Sequence, residues 1–361
     1  MARILLIALV LTVSCCWLAA EEMHSVLPAV GAVCISIDSA IEVDGELSEP
    51  AWDEAIAASG FTISAVDALA KNQTAFRIVR NADTLYLGVR CVEENMAGLK
   101  TNVTMRDGSV WHDDVIELFL DANHDHETYY QFAVNAIATR FDSRSGATTW
   151  DAQWDAAATT DEDGWTLEIA IPFASLDDGA PATGDVWGLN VCRERQAGRE
   201  KELHNWADVQ GNFLRPWLFG HIYFAGDSFT MDDAAARDMY AKIEVPTRIY
   251  LQDGIALIGP DGLQSRESYQ QMLARSFEQA KQLREMHEEL AATFREERDA
   301  PHADEFAALD ESYLNLREMA TSEGAVSPFE WAAQTIAISD LTHAMHELRW
   351  QVRIALLLRE A

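Results

Sequence analysis

The segment Asp121-Ala122-Asn123-His124-Asp125-His126-Glu127 places oxygen-bearing side chains at alternate positions. Calcium is a hard cation that takes about 6–8 oxygen ligands, and such spacing in a loop after a strand can supply several of them. Asp121, Asn123, Asp125 and Glu127 are therefore the strongest metal candidates, with Ca²⁺ as the cofactor they suit. The loop lacks the glycine and the flanking helix pair of an EF-hand. A plain acidic hairpin turn is the alternative these residues leave open, and His124 and His126 read as solvated. Just downstream, Gln131, Ala133 and Asn135 alternate with Tyr130, Phe132 and Val134. In a strand this puts two amides on one face and the apolar residues on the other. Amides flanking a small residue leave room for a ligand with neutral hydroxyls. A solvated strand face is the competing reading.

Catalytic chemistry has little support. No GxSxG, HExxH, P-loop or GxGxxG string occurs in a suitable context. Glycoside hydrolysis needs two carboxylates about 5–9.5 Å apart, but 59 acidic residues guarantee chance pairs. His204 and Asp208 have no nucleophile near them in sequence and read as structural.

The elements that must position these residues are short strands. Residues 74–79 and 84–89 form a hairpin pattern across Asn81-Ala82-Asp83. Leu85, Leu87, Val89 and Cys91 share one face, and Tyr86, Gly88 and Arg90 the other. Residues 115–120, 129–134, 165–171 and 186–192 behave alike. Many short strands without interleaved helices predict an antiparallel β-sandwich of immunoglobulin or jelly-roll type over 33–226. Pro246, Gly254, Gly259-Pro260 and Gly262 suggest a linker over 227–262.

Residues 263–361 change character. The stretch 265–298 has no Gly or Pro, and Leu273, Phe277, Ala280, Leu283, His287, Leu290 and Phe294 form an apolar stripe. Ala303–Ala320 repeats the pattern through Phe306, Leu309, Tyr313 and Leu316. A third helix starts at Ser327-Pro328, where Ser caps, Pro takes the first turn and Glu330 supports the end. An α-helical hairpin or three-helix bundle follows, packing within the chain or self-associating with a protein partner.

Four strings carry a wider pattern: Ile41-Glu42-Val43-Asp44-Gly45-Glu46-Leu47-Ser48-Glu49-Pro50-Ala51-Trp52, Trp111-His112-Asp113-Asp114-Val115-Ile116-Glu117-Leu118-Phe119-Leu120-Asp121, Tyr129-Tyr130-Gln131-Phe132-Ala133-Val134-Asn135 and Gly211-Asn212-Phe213-Leu214-Arg215-Pro216-Trp217-Leu218-Phe219-Gly220. In this order and spacing they resemble family 9 carbohydrate-binding modules, DOMON-type sandwich domains attached to secreted glycosidases. The resemblance covers 33–226 and excludes the helical region. It implies a sugar held between two aromatic platforms, with polar side chains gripping its hydroxyls. Trp111 matches the first platform, Glu117 the strand glutamate, and Gln131 and Asn135 the amides. Phe213 matches the second platform, where a Trp is expected, unless Trp217 takes that role. Ala133 stands where the family carries a positive residue. Structural calcium is also implied. Trp52 reads as a core plug rather than a ligand contact.

Composition agrees with such a role. Among 361 residues, 27 Lys+Arg face 59 Asp+Glu, for a formal charge of −32. A polyanion repels nucleic acid and anionic lipid surfaces. Met1-Ala2-Arg3, the apolar run Ile4–Val13 and Leu18-Ala19-Ala20 read as a signal peptide over 1–20, too short to span a bilayer. Export to the medium, periplasm or cell envelope is expected, with lipid attachment at Cys15 or Cys16 the weaker variant. The mature Cys34, Cys91 and Cys192 have no metal-like spacing and read as buried small hydrophobes, one disulfide being the alternative. The expected function is non-catalytic recognition of a neutral poly- or oligosaccharide, as an accessory to glycoside hydrolases. The alternatives are a haem module using Met96, Met105 and His112, and a structural envelope protein that assembles through its helices.

Overall fold

A computed structural model describes residues 28–66, 68–297 and 301–360. The expected signal peptide, with Cys15 and Cys16, lies outside the described residues. The chain begins with β1 (Ala29–Ser36), followed by the Asp44-Gly45 turn and the short helix α1 (Pro50–Glu54). Next come β2 (Ala57–Ala58), β3 (Thr62–Ile63), β4 (Thr74–Arg80), β5 (Thr84–Val92), β6 (Val115–Asp121), β7 (Tyr130–Asn135) and β8 (Arg140–Arg144). β9 (Asp155–Thr160), β10 (Gly164–Pro172), β11 (Val186–Arg195), β12 (Glu202–Asn205) and β13 (Gly220–Phe224) complete the expected strand region.

The strand order is β8-β7-β6-β11-β13-β1-β4-β5-β10-β9. It folds into two layers, with β1 pairing to β13 through Gly31–Cys34 and to β4 through Ile35 and Ser36. Period-two alternation then does what it should. Ile116, Leu118, Phe132, Val134 and Val191 from one layer meet Phe76, Ile78, Leu87, Val89 and Leu167 from the other in a single buried core. The expected hairpin closes where Asn81 Oδ1 accepts the N–H groups of Asp83 and Thr84. Pairing is antiparallel as expected except at β1, which runs parallel to β13 and β4. These partners are distant in sequence, so no tight turn dictates their direction.

Residues 227–262 are not a linker. They form α2 (Asp233–Ile243), β14 (Thr247–Tyr250), β15 (Gly254–Gly259) and the start of β16 (Gly262–Ser268). Asp232 caps α2 by accepting from Ala235 N, and α2 buries Ala236, Met239 and Ile243 against Val33, Ile35 and Ile249. β14 pairs parallel with β1, extending that layer. The glycines and prolines in this stretch punctuate hairpin turns rather than free chain.

The expected three helical stretches become α3 (Tyr269–Gln279), α4 (Lys281–Glu296), α5 (Ala303–Thr321) and α6 (Pro328–Glu360), because the first is broken at Ala280. Ser327 and Glu330 make the anticipated reciprocal cap on α6. Leu273, Phe277, Leu283 and Leu290 face Leu341, Met345 and Leu348 in a separate core. The bundle meets the sandwich where Tyr269, the first residue of α3, enters the sandwich core and Trp331 of α6 packs on it at 6.0 Å between ring centroids. Among the described residues, no helix is long and apolar enough to cross a membrane. Cys34, Cys91 and Cys192 are buried free thiols, so the disulfide alternative is not realised.

Candidate functional site

Backbone hydrogen bonds align β8, β7, β6 and β11, so their outward residues form one face. In register across it lie Ser143 opposite Gln131, Ala133 opposite Glu117, and Glu117 opposite Cys192. Gln131 Nε2 donates to Glu117 Oε2 at 2.6 Å, and Ser143 Oγ donates to Gln131 Oε1 at 2.9 Å. Glu194 follows on β11, where Lys201 donates to its Oε2. This polar row is what sequence reasoning found only in part. Glu117 and Gln131 were legible, whereas Ser143, Glu194 and Lys201 enter only because β8 and β11 flank β7 and β6.

Burial makes the row chemically unusual. Glu117 is 5% exposed and Glu194 8%. Loss of solvent, then the neighbouring Glu194 charge, push the Glu117 carboxyl up to about 8.

One end of the row is marked by Trp111, which the two aspartates after it hold in place. Asp113 accepts from Asn102 N at 2.9 Å and Val103 N at 2.7 Å. Asp114 accepts from Lys100 N and Gln196 N, both at 2.9 Å. The Trp111 carbonyl accepts from Gln196 Nε2 at 3.0 Å and Lys201 Nζ at 3.4 Å. The half-buried indole stands edge-on to Phe141, 5.3 Å between centroids, beside Ala133 on the neighbouring strand. It is neither core nor free, which is what a stacking platform requires.

Two residues expected to grip ligand are placed otherwise. Asn135 is fully buried; its Nδ2 donates to Val103 O at 2.8 Å and Asp113 Oδ2 at 2.9 Å, while Oδ1 accepts from Thr139 N at 2.7 Å. Its Nδ2 ties the loop that carries Trp111 and its Oδ1 closes the β7–β8 turn, so it supports the face from beneath. Phe213 is 8% exposed and packs on Phe119 at 6.4 Å, in a cluster with Tyr129 and Phe219. Trp217, in the Pro216–Leu218 turn, is 61% exposed. The turn's Leu218 leans on that same cluster, so the exposed aromatic at this end is Trp217.

The acidic loop spends its oxygens on itself. Asp121 accepts from Asp125 N at 3.1 Å and His126 N at 2.9 Å. Asp125 accepts from Glu127 N, Thr128 N and Thr128 Oγ1. Asn123 donates to Asp125 Oδ2 at 2.9 Å. Among the described residues, no group of three or more His, Cys, Asp or Glu is arranged to hold a metal. As folded, Asp121, Asn123, Asp125 and Glu127 make a hairpin turn in which Asp121 and Asp125 already accept backbone N–H groups. His124, expected to be solvated, instead meets His221 with Nε2 to Nδ1 at 3.1 Å. Of the haem candidates, Met105 is 76% exposed and His112 also lies at the surface.

The family model described as "Carbohydrate family 9 binding domain-like" matches residues 43–226. This chain belongs to that family. The match begins just before the Asp44-Gly45 turn and ends just past β13, so it covers the expected 33–226 region apart from residues 33–42.

Curated proteins similar to the module include Endo-1,4-beta-xylanase A of Thermotoga maritima, 28% identical over 192 residues that make up 50% of this chain and 16% of the xylanase. Endo-1,4-beta-xylanase A of Thermoanaerobacterium saccharolyticum is 25% identical over 169 residues, 43% of this chain and 14% of that protein. The matched part thus spans only about one-sixth of the curated relatives' length. Among solved structures, a family 9 module from Caldicellulosiruptor kristjanssonii in complex with cellotriose matches with a TM-score of 0.43 and 18% identity, covering 55% of this chain and 95% of that one. The same organism's module in complex with glucose matches with a TM-score of 0.42 and 19% identity, covering 55% and 99%.

Proposed function

We propose that the module binds a neutral saccharide, without catalysis, across the β8-β7-β6-β11 face between Trp111 and Trp217. The observation that carries this reading is the polar row Ser143–Gln131–Glu117 lying beside a half-buried indole whose backbone is pinned by Asp113, Asp114 and Gln196. An aromatic ring covers the apolar face of a sugar, and amide and carboxyl groups answer its hydroxyls. Each platform burying about 100 Å² of apolar surface contributes about 2.5 kcal/mol. Hydrogen bonds from Glu117 and Gln131 add about 1 kcal/mol each. Immobilising the ligand costs at least about 4 kcal/mol, which leaves weak, millimolar-range binding or somewhat better.

The reading extends to an exported protein, supported by the apolar leader at 4–13 and by net charge −32, and to β-linked plant-type or microbial chain ends as ligands. Family membership and the xylanase relatives support an accessory role beside glycoside hydrolases. A glycan array on the protein, followed by calorimetry with the best neutral ligand, tests it. Trp111→Ala is expected to weaken binding about 50- to 100-fold, the loss of one platform. Undiminished binding by Trp111→Ala in a protein with an unchanged melting curve would overturn the proposed face.

A further inference from the structure

Glu117 and Glu194 occupy the same outward face of adjacent strands, offset by one cross-strand step, since Glu117 pairs with Cys192 and Glu194 with Val115. Both are nearly excluded from water. Two ionised carboxylates in such a place repel each other strongly, and the cation beside them, Lys201, pairs directly with Glu194. A single proton between them resolves the conflict. With it on Glu117, the side chains of the row form one continuous chain of hydrogen bonds. Ser143 O–H donates to Gln131 Oε1, and Gln131 N–H to Glu117 Oε2. Glu117 O–H then donates to Glu194, which Lys201 also holds. Without it, Glu117 keeps Gln131 as its one donor and faces the Glu194 carboxylate, with the cation Lys201 shared between two negative charges. The remaining titratable groups that sense the pair, Tyr129 and Cys192, stay neutral and so supply no counter-charge.

We propose that Glu194, anchored by Lys201, is a positioning residue of the saccharide face: it shares one proton with Glu117 and thereby fixes the Glu117 carboxyl against the face. The proposal rests on the reading of that face as the sugar site. The shared proton makes the Glu117–Glu194–Lys201 group neutral overall, which suits uncharged hydroxyls. Removing the proton makes the group anionic and frees Glu117 to turn away from its neighbour.

Two measurements on the full chain separate the possibilities. Carbon-13 carboxyl titration of the ligand-free protein reads the proton directly. A glutamate signal that disappears in Glu117→Gln should titrate with a midpoint near 8 in the wild type and fall toward the ordinary carboxylate range in Glu194→Gln. Tryptophan fluorescence with cellotriose reads its consequence. Wild-type affinity should drop about five-fold between pH 6.5 and 9, the loss of one hydrogen bond. Glu194→Gln keeps a donor for Glu117 and an acceptor for Lys201, so it should bind at near wild-type strength with a flat pH profile. Glu194→Ala should bind weakly at every pH. A normal Glu117 midpoint, or a wild-type profile no steeper than that of Glu194→Gln, overturns the proposal while leaving the sugar site standing. Absence of cellotriose binding by the wild type at pH 6.5, with the midpoint still near 8, overturns the positioning role through failure of the site reading.

Discussion

Trp52 Nε1 donates to Glu168 Oε1 at 2.9 Å, and the other oxygen of that carboxylate accepts the backbone N–H groups of Asp44 and Gly45, both at 2.9 Å. One buried glutamate on β10 thus ties the core indole to the turn. Gly45 is required there, with φ at +89° and the Ala158 backbone 2.8 Å from where a Cβ would sit. Trp52→Ala should cost about 3–5 kcal/mol through cavity formation. Glu168→Ala strands three donors and should cost a comparable amount. Urea denaturation measures both, and a loss below about 1 kcal/mol for Trp52→Ala would show that the indole is not the plug.

Asn135, Phe213 and Trp217 should divide between stability and binding. Asn135→Ala removes the tie between β7 and the Val103–Asp113 loop, leaving buried acceptors and donors unmatched at about 1–3 kcal/mol each. Phe213→Ala opens the cluster on Phe119 and should cost about 3–5 kcal/mol. Trp217→Ala should leave the melting curve in place and weaken saccharide binding. Paired calorimetry and thermal melts decide the matter; a stable Phe213→Ala that binds no sugar would return the platform role to Phe213.

Stability should pass through a maximum near neutral pH. The His124–His221 contact needs the accepting ring neutral, because the other ring's N–H must donate to its lone pair. Burial, followed by the neighbouring imidazoles, lowers His221 to about 3 and His124 to about 4. Below pH about 6.5 the unfolded chain takes up protons that the fold refuses, so stability is lost as pH falls from there toward 4. Glu117 acts oppositely. Its raised pKa means that the fold keeps a proton the unfolded chain releases above pH about 4.5, so its contribution fades as pH rises toward 8. Melting temperatures should therefore be highest between about pH 6 and 7. His221→Asn should flatten the acid limb and Glu117→Gln the alkaline limb; a wild-type profile still rising from pH 7 to 9 would contradict the Glu117 assignment, and one flat from pH 4 to 6.5 the histidine assignment.

Calcium should have little effect on the fold. An ion at Asp121, Asn123, Asp125 and Glu127 would compete with the donors that already fill both oxygens of Asp125. Melting midpoints in EDTA and in millimolar calcium should coincide. A ligand at 100 times its dissociation constant adds about 2.7 kcal/mol, so a rise of several degrees, lost in Asp121→Ala, would restore the calcium reading.

The chain's local patterns determine much of this protein. Period-two alternation selects which residues of β5, β6 and β7 enter the core, and the apolar stripe with the Ser327–Glu330 cap fixes the helices, because both are properties of a few neighbouring residues. Trp52 as core plug, and Glu117 and Gln131 as candidate site residues, were likewise readable from spacing and resemblance. Tertiary structure decided the rest. The parallel insertion of β1 between β13 and β4 depends on which edges remain open once other strands have paired. The glycines and prolines of 227–262 delimit either a linker or a hairpin, and only packing of α2 and β14 onto β1 chooses the second. Asn135 has the residue type and strand position of a ligand contact, yet the loop from Lys100 to Asp114 takes its amide hydrogens and the turn after β7 takes its oxygen. Glu194 is the converse. Its string reads as an ordinary strand end, and it becomes part of the face because β11 lies against β6, bringing a second carboxyl beside Glu117 in a place with too little water for both to ionise.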